Sequence, residues 1–226
     1  DGKKVEPLGG SYLDNYSPVT GQIYSQVPDS QTEDIDLAVA AAKKAFPKWS
    51  ALTAEQRAEH MFRLADLIEA RKDDLALAET MDQGKPLWLA KSVDMARASG
   101  NLRFFAHAVM NTKSTAFTDV DGYVEYINKA PIGPCALISP WNLPLYILTW
   151  KIAPCIATGN TAVCKPSELT PMTAALLSDI IIESGMPAGV INIVHGKGSV
   201  AGQALTTHPD VPVISFTGGT ATGGHI

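Results

Sequence analysis

The sequence predicts an α/β fold: a parallel sheet with flanking helices, preceded by a mostly helical layer and a short antiparallel arm. Three observations carry that expectation. Apolar runs at residues 134–138, 161–164, 190–194 and 213–216 are short and do not alternate, as strands covered on both faces do. Helical segments at 145–157, 170–183 and 199–206 separate them, the pattern of parallel strands joined by crossovers. Upstream, apolar residues recur at helical spacing through four stretches rich in exposed-type charges.

In chain order, Ser17-Pro18-Val19-Thr20-Gly21 is a turn between strands expected at 12–16 and 22–27. Ser30 with Glu33 reads as a capping box, after which Ile35, Val39, Ala42 and Phe46 share one helix face. Thr53 with Gln56 is a second box, followed by Met61, Leu64, Ala65 and Ile68 at the same period. A third helix spans 72–82 and closes at Gly84, with Pro86 beyond. A fourth covers 87–109. Residues 123–128 alternate in period two and read as a strand or hairpin arm whose open edge invites pairing with another segment or subunit.

Composition narrows the function classes. With 46% hydrophobic and 18% charged residues, the 226-residue chain fits a soluble globular protein with a sizeable core. The net charge of −5 argues against a nucleic-acid partner or an anionic membrane surface. The longest apolar candidate, 143–156, is broken by Lys151, Pro144 and Pro154 and is too short to span a bilayer. The N-terminus has no signal-peptide apolar region. Cys135, Cys155 and Cys164 have no metal-ligand spacing and read as reduced, buried thiols of a cytoplasmic protein. The five histidines are scattered and form no metal set.

Ligands of parallel α/β sheets bind at the carboxyl ends of strands, and four loops are expected there. In Ser139-Pro140-Trp141-Asn142-Leu143-Pro144, two prolines fix the backbone around Asn142. Its amide can donate to a developing oxyanion or cap the next helix. In Lys165-Pro166-Ser167-Glu168, ammonium and carboxylate could bracket ribose hydroxyls and a phosphate, favouring NAD over NADP, or form a surface ion pair. His195 to Gly202 nearly matches G-x-G-x-x-G, but Ala201 takes the third glycine position and no acidic residue follows at the usual distance. A flexible turn is as good a reading. Thr217-Gly218-Gly219 lacks the lysine and hydroxyl of an NTP-hydrolysing loop, yet a diphosphate could rest on its backbone N–H groups. A binding site is plainer than a catalytic one, since no nucleophile accompanies these loops.

Taken together, six segments resemble the first half of the aldehyde dehydrogenase superfamily: residues 17–21, Asp82-Gln83-Gly84-Lys85-Pro86, Pro140-Trp141-Asn142-Leu143-Pro144, Ala157-Thr158-Gly159-Asn160-Thr161, Lys165-Pro166-Ser167-Glu168 and Phe216-Thr217-Gly218-Gly219. The resemblance covers essentially the whole chain. It implies NAD(P)-dependent oxidation of an aldehyde to a carboxylic acid through a cysteine thiolate and a water-activating glutamate, both expected beyond Ile226. It assigns Asn142 to the oxyanion and Lys165 and Glu168 to the adenosine ribose. Ser139 and Trp141 match the cofactor cleft, and Ser167, Gly198, Gly218 and Gly219 are expected to contact the cofactor. Gly219 stands where the family usually has a serine on the pyrophosphate. Residues 143–151 are similar to members acting on muconic semialdehydes.

The expected organisation is a helical part of the NAD-binding domain at 1–112, a β-arm for oligomerisation at 113–130, and a Rossmann-like core at 131–226 that is incomplete at its C-terminus, with the catalytic domain absent. The complete enzyme is expected to be a homodimer or homotetramer in the cytoplasm, and the 226-residue chain alone to be inactive. The alternative is a short, non-catalytic nucleotide-binding or structural protein derived from the family.

Overall fold

The structure, a computed structural model of the chain, describes residues 2–226. Strands β1 (Tyr12–Tyr16) and β2 (Ile23–Pro28) pair antiparallel around the expected turn, where Gly21 takes φ 70° and its N–H donates to Ser17 O at 2.8 Å.

Helix α1 (Thr32–Ser50) starts one residue later than the sequence suggests. The cap is Gln31, whose N–H donates to Asp34 Oδ2 at 2.9 Å, rather than Ser30 with Glu33. Ser30 is buried, and its backbone is pressed against Gly196. A Cβ added at Gly196 would lie 3.0 Å from Ser30 O. Tertiary packing has taken that residue out of the helix. The second box forms as expected: Gln56 N donates to Thr53 Oγ1 at 3.3 Å and Thr53 N to Gln56 Oε1 at 2.9 Å, opening α2 (Ala54–Ala70). Helix α3 (Lys72–Gln83) ends at Gly84 in the left-handed region, φ 77°.

The expected fourth helix is interrupted. A single turn α4 (Leu87–Leu89) leads into a π-helical segment, Ala90–Met95, and then α5 (Ala96–Met110). The wider turn lets the adjacent Asp94 and Met95 both face inward. Strands β3 (Ala116–Thr118) and β4 (Val124–Tyr126) form a hairpin whose six residues are all exposed, shorter than the expected 123–128.

The sheet follows: β5 (Pro134–Ile138), α6 (Pro144–Ala157), β6 (Thr161–Lys165), α7 (Met172–Glu183), β7 (Ile191–Ile193), α8 (Gln203–Thr206), β8 (Val213–Phe216) and α9 (Thr220–His225). The helix expected at 199–206 is a π-helical turn, Gly198–Gly202, followed by α8. All strand pairs in this sheet are parallel, in the order β7-β6-β5-β8.

Alternate side chains enter two cores, as the pleat requires. Cys135, Leu137, Ala162 and Cys164 pack with α2, α5, α6 and α7. Ala136 and Val163 pack with α1 residues Ile35, Val39 and Ala42 and with Leu205 of α8. Both faces are therefore covered, which explains the unbroken apolar strands. Buried Trp49 stitches the helical layer to α6, its indole N–H donating to Ile156 O at 3.0 Å. The chain runs β5 to β6 to β7 in one direction and then returns to place β8 on the other side of β5. A topological switch point thus lies between β5 and β8, where open α/β sheets form a ligand crevice.

Candidate functional site

The loop after β5 opens on that crevice. Pro144 is the first residue of α6, a position that suits its fixed φ and missing N–H. The helix cap is Leu143 with no side-chain cap bond, so the capping alternative for Asn142 does not hold. Asn142 and Trp141 are exposed. The loop backbone is held from outside: Gln83 Nε2 donates to Trp141 O at 3.0 Å and also to Asn142 O, and Thr170 Oγ1 donates to Trp141 O at 3.4 Å. Ser139 is buried. Its N–H donates to Lys165 O at 3.3 Å, and its hydroxyl has no partner among the described residues.

Lys165, the last residue of β6, is only 3% exposed, so the ion pair it makes with the partly exposed Glu168 has its cation buried and not at the surface. Its ammonium bonds Glu168 Oε2 at 2.9 Å, and Glu168 Oε1 accepts the Gly198 N–H at 3.2 Å. Two loops distant in sequence are joined through one carboxylate. Burial alone would raise the Glu168 carboxyl. The Lys165 hydrogen bond and charge, with N–H groups of Glu168 and Gly198, outweigh that and hold it below the usual value. Ser167 turns its hydroxyl to the Leu169 N–H at 3.2 Å. Beside them His195 is buried. Desolvation, with Lys165 and Lys4 adding to it, lowers the imidazole to about 4, and Nδ1 has no partner among the described residues. A lone histidine offers no sequence signal for such a position.

The loop after β8 adjoins the β5 loop, with Thr217 N donating to Ile138 O at 3.1 Å. Gly218 and Gly219 are exposed, and α9 begins one residue later. A Cβ at Gly218 would meet the Phe216 ring at 2.4 Å, whereas nothing lies within 4 Å of one at Gly219. Lys165 ends a strand of the sheet, and Asn142, Glu168 and Gly219 follow strands of that sheet at their carboxyl ends. Glu168 touches both Lys165 and Gly198 directly.

The Asp82–Pro86 segment was legible as a motif but not as a brace. Buried Asp82 accepts from Asn15 Nδ2 at 2.7 Å, from the Tyr24 hydroxyl and from Met172 N at 2.7 Å, tying the first hairpin to the start of α7. Lys85 pairs with Glu79 at 3.2 Å and Asp94 at 2.9 Å. Burial lifts the Glu79 carboxyl to about 7; Lys85 and the Leu145 N–H oppose the rise and the Asp94 charge adds to it.

No described thiol is an accessible nucleophile: all three cysteines are buried, and burial pushes Cys164 well up. Among the described residues no three His, Cys, Asp or Glu side chains form a metal-holding group, and no helix is long and apolar enough to cross a membrane. A groove of about 600 Å³ runs between α5 and α6, lined in part by Arg97, Asn101, Phe104 and Trp150. Asn101 Nδ2 donates to Tyr146 O and to Thr149 Oγ1, both at 3.2 Å, fixing one wall to the helix that follows Asn142.

Comparison with known proteins gives these loops a context. The chain is 52% identical over 222 residues to 2-aminomuconic semialdehyde dehydrogenase of Danio rerio, covering 95% of this chain and 46% of that protein. It is 45% identical to 5-carboxymethyl-2-hydroxymuconate semialdehyde dehydrogenase of Escherichia coli, covering 100% and 48%. Among solved structures, the NAD+ complex of aldehyde dehydrogenase from Bacillus cereus superposes with a TM-score of 0.95 at 37% identity, covering 98% of this chain and 45% of that one. The chain spans about half the length of the curated relatives it matches. The model of the aldehyde dehydrogenase family matches residues 5–226, and the chain belongs to that family.

Proposed function

We propose that this chain binds NAD at the β5–β8 rim and serves as the cofactor-binding part of an enzyme oxidising an aldehyde to a carboxylic acid. The observation that carries this reading is the convergence of the four strand-end loops on one rim, with Lys165, Glu168 and Gly198 already joined there. The fit to a dinucleotide rests on the residues present. Glu168 is a partly exposed carboxylate kept ionised by a buried lysine, suited to accept from ribose hydroxyls and unsuited to a phosphate on that ribose. This supports NAD over NADP. The loop ending at Gly219 exposes backbone N–H groups beside a helix start, suited to a diphosphate. NAD, when bound, supplies the hydride acceptor.

What the chain's own residues contribute is position and charge. The exposed Asn142 amide, on a backbone fixed by prolines and by Gln83, would donate to the aldehyde oxygen as negative charge grows on it. Membership of the family, and relatives named as muconic semialdehyde dehydrogenases, support an acidic semialdehyde as substrate. The groove beside α6 supports it chemically, since the exposed Arg97 can pair a substrate carboxylate while Trp150 covers a carbon chain. We place the enzyme in the cytoplasm and its exposed β3–β4 hairpin in a homodimer or homotetramer.

The deciding experiment uses the full-length polypeptide and the 226-residue chain in parallel. The full-length protein is expected to form NADH from an ω-carboxylated semialdehyde, with a higher kcat/KM than from a neutral aldehyde of equal length. The 226-residue chain is expected to bind NAD and form no NADH, because its thiols are buried. NADH from the short chain would refute that division of labour. NAD binding by the full-length protein without any aldehyde turnover would favour the non-catalytic alternative.

A further inference from the structure

We infer that Gln83 is a positioning residue for the Asn142 amide, acting from the helical layer on the loop where oxyanion charge would be met. The inference rests on the proposed aldehyde oxidation and adds to it a residue that touches neither substrate nor cofactor. Its basis is a match of donors to acceptors. One Gln83 amide nitrogen donates to the carbonyls of two successive residues, Trp141 at 3.0 Å and Asn142. Holding both carbonyls fixes the two peptide planes that flank the Asn142 Cα, and together those planes set the direction of its Cα–Cβ bond. The Asn142 side chain makes no hydrogen bond to the described residues, so the protein orients it through its backbone.

Gln83 is itself well anchored. Asp82 before it accepts from three donors and is buried. Gly84 after it ends α3 with φ 77°, and a Cβ there would crowd Pro18 Cγ at 3.3 Å. Lys85 sits in a buried cluster with Glu79 and Asp94. A helix end fixed on both sides of one half-buried glutamine is a rigid arm reaching an exposed loop. Loop residues need such support to hold a productive geometry.

The test uses the full-length enzyme and the variants Gln83→Glu and Gln83→Ala. Gln83→Glu keeps the shape, removes both donors and sets a carboxylate against two carbonyls; Gln83→Ala keeps the result readable should the first fold poorly. Expected are a fall in kcat on the order of tenfold, a KM for NAD unchanged within about twofold, and an Asn142→Ala/Gln83→Ala double variant no slower than Asn142→Ala alone. Multiplying losses in the double variant, or a change confined to the KM for NAD, would overturn the inference. Amide hydrogen exchange of the 139–147 peptide separates this outcome from failure of the functional reading. Faster exchange in either variant is expected whether or not the protein turns over aldehyde, and unchanged exchange sinks the brace on its own.

Discussion

The β5 loop and the β6–β7 loops meet the same rim by opposite means. In the first, the backbone is fixed and the functional side chain is free: Gln83 holds the carbonyls of Trp141 and Asn142 while the Asn142 amide stands exposed. In the second, the side chains themselves are committed: Lys165 is buried and bonded to Glu168, which also holds Gly198. Under the proposed function, the difference follows from what each would bind. A donor for transient charge has to be unpaired and aimed, so that its hydrogen bond forms only when charge develops. A carboxylate meant for neutral hydroxyls must stay ionised while half-buried, and a neighbouring cation secures that.

Three substitutions in the full-length enzyme would break or sharpen this contrast. The largest effect is expected from Asn142→Ala, which should lower kcat by about 10²–10³-fold while leaving the KM for NAD nearly unchanged. Steady-state kinetics decide it, and an unaltered kcat would remove Asn142 from the oxyanion.

Lys165→Ala should raise the KM for NAD by about 10–100-fold, more than that for aldehyde, as loss of a charge-assisted bond worth roughly 1.5–3 kcal/mol implies. The variant also carries a signature in pH. In the native fold Glu168 lies below its ordinary 4.5, so its contribution to stability is present above that pH and is lost as pH falls through the depressed value. Without Lys165, the two largest lowering influences are gone and the carboxyl should rise, which weakens that contribution. Thermal melts across roughly pH 3–6 would read the weakened pH dependence; identical profiles would mean that the pair does not set the Glu168 charge.

The smallest effect is expected from Gly219→Ser. Nothing lies within 4 Å of a Cβ there, so the hydroxyl fits without strain. One added donor to a diphosphate is worth on the order of 1 kcal/mol, or about fivefold tighter NAD binding by calorimetry. Weaker binding would place the pyrophosphate elsewhere.

Much of this was legible in the residues. Gly84 ended a helix because a left-handed cap favours glycine, and Thr53 with Gln56 opened one through reciprocal local bonds. The four sheet strands lay where apolar runs fell between helical periods, and every loop singled out came to a strand's carboxyl end. Signals failed where a distant contact decided. Ser30 reads as a cap, yet Gly196 presses on its backbone and the cap falls to Gln31. The π-helical turn at Ala90–Met95 answers to Lys85 and the core, which no local period reports.

By itself the sequence determined the kinds of elements, their order and the loops that carry chemistry, because capping, turn formation and hydrophobic periodicity act over a few neighbouring residues. Only the tertiary structure decided that β8 returns beside β5 to open a crevice, that Lys165 is buried rather than exposed, and that Gln83 reaches Asn142 from another layer. Those facts depend on desolvation and on bonds between residues tens of positions apart, and neither is encoded in any local window of the chain.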